Sequence, residues 1–382
     1  MDIHQPTPLL GSISPEDFMK RHWQRKPLLI RQAVPGAVGL PSRSELFALA
    51  GQEGVESRLI VHDDAGWTLR HGPIPRRAFP KVEQPRWTVL VQGVDLHVDA
   101  AHALISRFRF VPDARLDDLM ISWASDGGGV GPHVDAYDVF LLQVHGRRRW
   151  RIGRMRDTTL VPDVPLRLLQ NFEPEEEFLL EPGDMLYLPP NWAHDGVAEG
   201  ECMTASIGFR APPRETLGRE VLQRVLDAAE EPEGDVIYQD RGQTPSREPG
   251  RIPEALSAFA ADAVARLLKD PKVLACALGE LLSEPKPNVC FEPADVLPVG
   301  SGVRLDRRTR MLYDDHHVFI NGESFKAGGR DAKLMRRLAD DRGLSAERVQ
   351  QLSDDALDLL NEWVEAGWAH PAGEPAGPAS EG

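Results

Sequence analysis

Three side chains raise the question of chemistry. In GPHVDAYDVFLLQVHGRRRW, residues 131–150, His133 and Asp135 stand one residue apart, and His194 closes the later stretch EPGDMLYLPPNWAH. On a strand, residues two apart project from one face, so His133, Asp135 and Tyr137 are expected to share a side. An imidazole and a carboxylate side by side fill adjacent positions around one metal. A second imidazole completes the two-histidine, one-carboxylate set that leaves open positions on Fe(II) for a cosubstrate and dioxygen. The His-x-Asp pair alone is a weak signal, because a surface or capping pair reads the same. Three neighbours favour the metal. GGGVGP precedes the pair, and its glycines let backbone crowd a site. The region is rich in short strands, and His194 follows a turn and a strand at a separation suited to a return across a barrel. His145, His316 and His317 lack comparable partners and read as surface or loop histidines.

The run RRRWRI follows, in a chain of net charge −15. Alternation puts Arg147, Arg149 and Arg151 on one face and Arg148, Trp150 and Ile152 on the other. Two of the second set are apolar, so Arg148 is the arginine carried inward while its neighbours stay solvated. A buried guanidinium needs an anionic partner. That partner is either a distant carboxylate of the chain or the carboxylate of a ligand, which a guanidinium grips with two parallel hydrogen bonds. Metal and arginine together suit a dicarboxylate such as 2-oxoglutarate, one end on iron and the other on Arg148.

The elements that must position these groups change texture along the chain. SPEDFMKRHWQ opens like a helix and KPLLI reads as a short strand; ELFALAG and DAAHALISRF read as helices. From about Leu116 to Arg210, LDDLMISWA, DVFLLQV, RRRWRIG, EFLLEPGDMLYLP and CMTASIGFR each read as a strand, which suggests a sandwich or barrel. After Ala211-Pro212-Pro213, ETLGREVLQRVLDAA has helical spacing, residues 230–251 read as a loop, and PEALSAFAADAVARLL and PKVLACALGELL are two further helices. EPKPNVCFEP reads as a linker. Two or three strands follow in GVRLDRRTRMLYDDHHVFINGESF, then helices in DAKLMRRLADD and DDALDLLNEWVEAG.

The 382 residues suffice for two or three domains, and 41% hydrophobic with 27% charged residues is globular rather than disordered composition. No apolar run reaches membrane-spanning length, and MDIHQPTPLL lacks the basic head and apolar core of a signal peptide, so no membrane association and a cytoplasmic location are expected. Cys202, Cys276 and Cys290 are too few and too scattered for a disulfide framework or a thiolate metal site. The acidic balance disfavours phosphate binding and favours encounter with a basic partner.

The long motifs carry a resemblance. LDDLMISWASDGGGVGPHVDAYDVFLLQVHGRRRWRIG, EPGDMLYLPPNWAHDGVA and SIGFRAP closely resemble the JmjC-type ribosomal oxygenases, nearest to the bacterial branch of ribosomal protein arginine hydroxylases. It extends over nearly the whole chain and is strongest from Leu116 to Pro212. The resemblance implies a double-stranded β-helix, or distorted jelly roll, over residues 1–211. It implies a helical dimerisation region over 212–284 and a winged-helix-like domain over 285–382. It further implies Fe(II), 2-oxoglutarate and O2, and hydroxylation of a basic side chain on a large-subunit ribosomal protein. Residue by residue, His133, Asp135 and His194 match the metal ligands, and Arg148 matches the 2-oxoglutarate anchor, assisted by Ser122.

For the substrate, Asp118, Met120 and Ser122 alternate onto one face of LDDLMIS. An aspartate and Tyr137 suit a guanidinium, by charge-assisted hydrogen bonding and stacking, with Ser206 in the wall. Asp118 reads equally well as a carboxylate of the strand-end turn. The stretch SAERVQQLSDDALDLLNEWVEAG is acidic, so the winged helix is expected to contact protein or pack rather than bind DNA. The expected activity is arginine hydroxylation by a homodimer. The alternatives are a histidyl hydroxylase, a lysine demethylase, or a non-catalytic cupin-like binding protein.

Overall fold

A computed structural model describes residues 2–36, 39–228, 236–241, 245, 250–326 and 328–372. The chain divides into two compact units, Met1–Ala211 and Pro212–Gly382. In the first, α1 (Pro15–Arg21) begins at Ser14, whose side chain accepts from the backbone N–H of Asp17. β1 (Leu28–Ile30) follows, and then α2 (Arg43–Ala50), closed by a reciprocal cap between Ser42 and Glu45. β2 (Ser57–Asp63) and β3 (Gly66–His71) form a hairpin, with β4 (Trp87–Val91) beside β2. After α3 (Asp99–Ser106) come β5 (Leu116–Ala124), β6 (His133–Val134), β7 (Val139–Arg154), β8 (Glu176–Leu180), β9 (Met185–Leu188) and β10 (Trp192–Phe209).

These strands make one ten-stranded sheet in the order β1-β9-β7-β10-β5-β4-β2-β3, with β6 paired to β10 and β8 to β7; all pairings are antiparallel. It is the jelly roll that the resemblance implies. Alternation sorts its residues. Leu119, Ile121 and Trp123 of β5 and Met203, Ala205 and Ile207 of β10 pack with Phe18, Leu46, Leu104 and Ile105 of the helices in the main core. Asp118, Ser122, Thr204 and Ser206 therefore take the opposite face, and all four are buried.

Several boundaries differ from the sequence reading. DVFLLQV and RRRWRIG are one strand, β7, bent at Gly146. That glycine has φ +63°, and a Cβ there would sit 2.1 Å from the Glu201 carbonyl oxygen. The bend shifts the alternation, so odd-numbered Val139 and Leu141 and even-numbered Trp150 and Ile152 join one apolar cluster. EFLLEPGDMLYLP is two strands, since Pro182-Gly183 turns the chain between β8 and β9. CMTASIGFR is only the second half of β10, which begins at Trp192. The strand carrying His133 stops at Val134, and Asp135 to Asp138 form a bend. Tyr137 thus lies off the strand and is 41% exposed.

The second unit holds α4 (Arg214–Asp227), α5 (Glu254–Leu267), α6 (Pro271–Ser283), α7 (Gly329–Asp341), α8 (Ala346–Val349) and α9 (Asp354–Glu365). The stretch read as two or three strands holds four: β11 (Gly302–Leu305), β12 (Met311–Tyr313), β13 (His317–Ile320) and β14 (Glu323–Lys326); with β15 (Gly343–Leu344) and β16 (Ala369–Ala372) they make two three-stranded sheets among the described residues. Most of the expected loop at 230–251 lies outside the described residues. His317 is not a surface histidine. It is 6% exposed, and its ring nitrogens face Cys276 Sγ at 3.5 Å and Asp314 Oδ2 at 3.3 Å. β13 is paired along both edges, and α6 and α7 pack against it.

Candidate metal and 2-oxoglutarate site

The fold brings His133, Asp135 and His194 together although 59 residues separate the last two. β6 pairs with β10 in a register that sets His133 directly opposite His194. The rings lie 4.2 Å apart by centroid. Asp135 Oδ2 is 3.9 Å from His133 Nε2 and 3.6 Å from His194 Nε2, and one ligand atom from each residue lies within 4.8 Å of the others.

Each imidazole is oriented by the same device. His133 Nδ1 is 2.9 Å from the carbonyl oxygen of Gly131, and His194 Nδ1 is 3.0 Å from that of Trp192. A carbonyl only accepts, so both rings donate through Nδ1–H and turn Nε2 toward Asp135. Burial, and then the neighbouring His133, hold the pKa of His194 well below the ordinary histidine range. It is therefore neutral at pH 7, the form that ligates a metal. These donors fit a divalent metal: two imidazole nitrogens and a carboxylate oxygen converge while the second ring nitrogen of each histidine is satisfied elsewhere.

Arg148 lies on the same inner face, 5% exposed. Nη1 donates to Ser122 Oγ at 3.2 Å, and the guanidinium carbon lies 5.6 Å from the centroid of the Trp150 ring. Nε and Nη2 are buried with no hydrogen-bond partner, and among the described residues no carboxylate pairs with this guanidinium. The other arginines of the run are satisfied by the chain itself. Arg149 pairs with Glu177 and Glu199, Arg151 with Asp195, and Arg147 lies 3.9 Å from Glu199. A buried guanidinium with two N–H groups to spare fits a carboxylate brought by a ligand.

The remaining candidates are arranged less tightly. Asp118 is buried, and its Oδ2 accepts the backbone N–H of Gly93 at 3.0 Å, so a structural task occupies at least part of it. Tyr137 faces both carboxylates of the site. Partial burial of its hydroxyl, then the charges of Asp135 and Asp118, push its pKa up, and the phenol stays protonated as a donor. Ser206 is 8% exposed and pairs in register with Met120 of β5. Two contributors were missed in the sequence. Trp150 lies under both Arg148 and His194, and Gly196 leaves it that space, since a Cβ there would meet the indole at 2.6 Å. The two-residue spacing of Arg148 and Trp150 was the available signal. Gly196 carried none, because its partner is 46 residues away.

Comparison with known proteins bears on this arrangement. A JmjC domain model matches residues 103–217, and a ROXA-like winged-helix model matches residues 266–370, which takes in α6. The ribosomal protein uL16 3-hydroxylase of Escherichia coli (strain K12) is 33% identical over 370 residues, covering 92% of this chain and 96% of that protein. The chain belongs to the JmjC ribosomal oxygenases. It is a 2-oxoglutarate-dependent dioxygenase, a class that uses Fe(II), 2-oxoglutarate and O2. A probable ribosomal oxygenase of Haemophilus influenzae is 29% identical over 390 residues, covering 94% of this chain and 96% of that one. The crystal structure of E. coli ycfD covers 94% of this chain and 99% of its own, at 30% identity and a TM-score of 0.83. The same protein in complex with cobalt and 2-oxoglutarate gives a TM-score of 0.81.

Proposed function

We propose that this chain hydroxylates an arginine side chain of a large-subunit ribosomal protein, with Fe(II) held by His133, Asp135 and His194 and 2-oxoglutarate anchored by Arg148 and Ser122. The observation that carries the reading is the convergence of three ligand atoms beside a buried arginine with two unpaired N–H groups. Iron held by these three residues would supply dioxygen activation, with oxidative decarboxylation of 2-oxoglutarate to succinate and CO2 taking one oxygen atom and the substrate the other. The protein's own part is positional. Gly131 and Trp192 carbonyls aim the two imidazoles. Arg148 binds the distal carboxylate, and Trp150 keeps water from that contact. Asp118 and Tyr137 accept and stack the substrate guanidinium, with Ser206 in the wall. This division of labour favours hydroxylation of a long cationic side chain. The test is mass spectrometry of a ribosomal-protein peptide after incubation with the chain, Fe(II) and 2-oxoglutarate. Gain of one oxygen on an arginine is expected. Gain on a histidine, loss of a methyl group from lysine, or no 2-oxoglutarate turnover at all selects one of the alternatives and overturns the proposal.

The second unit supports the assembly. Leu222 and Leu226 of α4, Leu256, Val264 and Leu267 of α5, and Val273 and Leu278 of α6 are all exposed apolar side chains. Their density suits an isologous contact between two copies through residues 212–284, with 285–382 as the winged-helix-like domain. Light scattering is expected to give a dimer at micromolar concentration, and a monomer refutes it. A ribosomal-protein substrate suits a cytoplasmic location, and the acidic α9 region suits protein contact rather than DNA.

A further inference from the structure

The two histidine-to-carbonyl hydrogen bonds look alike but rest on different supports. The acceptor for His194 is Trp192, the first residue of β10, paired in register with Arg154 of β7. The acceptor for His133 is Gly131, in the loop before β6, at φ +77°. Among the described residues, no strand pairing holds that carbonyl. Two distant segments press on it instead. A Cβ on Gly131 would lie 2.9 Å from Leu168 Cδ2 and 3.2 Å from the indole of Trp67. The next residue, Pro132, accepts the backbone N–H of Leu169 at 2.8 Å. Leu168 is itself buried, and Trp67 stacks on His62 across the β2–β3 hairpin, 4.2 Å between centroids and 4° from parallel. The indole is thus braced from behind and pushes its edge against the glycine.

We infer that Trp67 and Leu168 are positioning residues for the metal centre: they clamp Gly131-Pro132 so that its carbonyl holds the His133 ring with Nε2 facing the metal. The inference rests on the proposed metal assignment. A partner that fixes the ring nitrogen not bound to metal typically governs metal affinity by about 10- to 100-fold. The indole acts one contact further out, so about tenfold is expected here.

The test is titration of the purified full chain with Co(II), followed by visible absorbance, with circular dichroism melts to confirm folding. Trp67→Ala and Leu168→Ala should each weaken Co(II) binding about tenfold. Trp67→Phe, which keeps an aromatic ring beside His62 but lacks the Cζ2–Cη2 edge that reaches Gly131, should restore little of it. Arg70→Ala, exposed on the same strand as Trp67, should leave it unchanged. In a His133→Ala background, Trp67→Ala should cost nothing further, because the ring it serves is gone. The clamp is refuted if Trp67→Ala binds Co(II) as tightly as the unaltered chain. It is equally refuted if Trp67→Ala weakens binding as much in the His133→Ala background, which would show a general structural effect. If His133→Ala itself leaves Co(II) affinity unaltered, the metal assignment has failed, and the clamp with it.

Discussion

The two halves of the site are built on different principles. On one side, His194, Arg148 and Trp150 sit on β10 and β7, strands of 18 and 16 residues that pair along most of their length. On the other, His133 occupies a two-residue strand, and Asp135 and Tyr137 lie in the bend after it. Exposure follows: the His194 side chain is 4% exposed, His133 is 25% and Asp135 is 23%. A sheet fixes a side chain through many backbone hydrogen bonds, so loss of one neighbour is tolerated. A loop fixes it through a few contacts, each of which matters. The strand half is the enclosed part of the site, and the loop half is its more exposed side.

The largest effect should come from the loop half. Asp135→Ala removes the one anionic member of the proposed ligand set, and two imidazoles do not hold iron in a reactive pose. Succinate production should fall to background with the melting temperature little changed, because Asp135 anchors no core. Persistent turnover in Asp135→Ala would mean that the convergence at this site is not the metal centre.

In the strand half, Arg148→Ala should raise the requirement for 2-oxoglutarate far more than that for peptide. It leaves a carboxylate desolvated and unpaired, a loss of roughly 2–5 kcal/mol. Steady-state kinetics in each substrate separate the two requirements, and an equal rise in both would remove Arg148 from its assigned role. The smallest effects belong one residue to either side. Arg147→Ala and Arg149→Ala break ion pairs to Glu199 and Glu177 on the exposed face and should leave the 2-oxoglutarate requirement unchanged. Sensitivity at either would show that the register of β7 differs from that described.

Much of this was legible in the residues, and for a local reason. The alternation Arg148, Trp150, Ile152 spans five residues of one strand, so a period of two sufficed to send Arg148 inward. Helices α1, α2, α6 and α9 announce themselves through capping residues, and α4 and α7 through apolar spacing, within a dozen residues. His317 was misread because the helix that packs on its strand, α6 with Cys276, lies far away in sequence, Cys276 by 41 residues.

The sequence by itself determined which chemistry is available: two histidines, an aspartate and an inward arginine, set in motifs specific enough to mark a family. Period and composition also settled the change from helix and strand to barrel to helices, since each is a property of a short window. What only the tertiary structure decided is everything that depends on strand register. It set His133 opposite His194, let β7 change faces at Gly146, slid Trp150 into the space beside Gly196, and brought Trp67 and Leu168 against Gly131. Register is the joint outcome of burying one face of every strand at once. No window of the chain contains it.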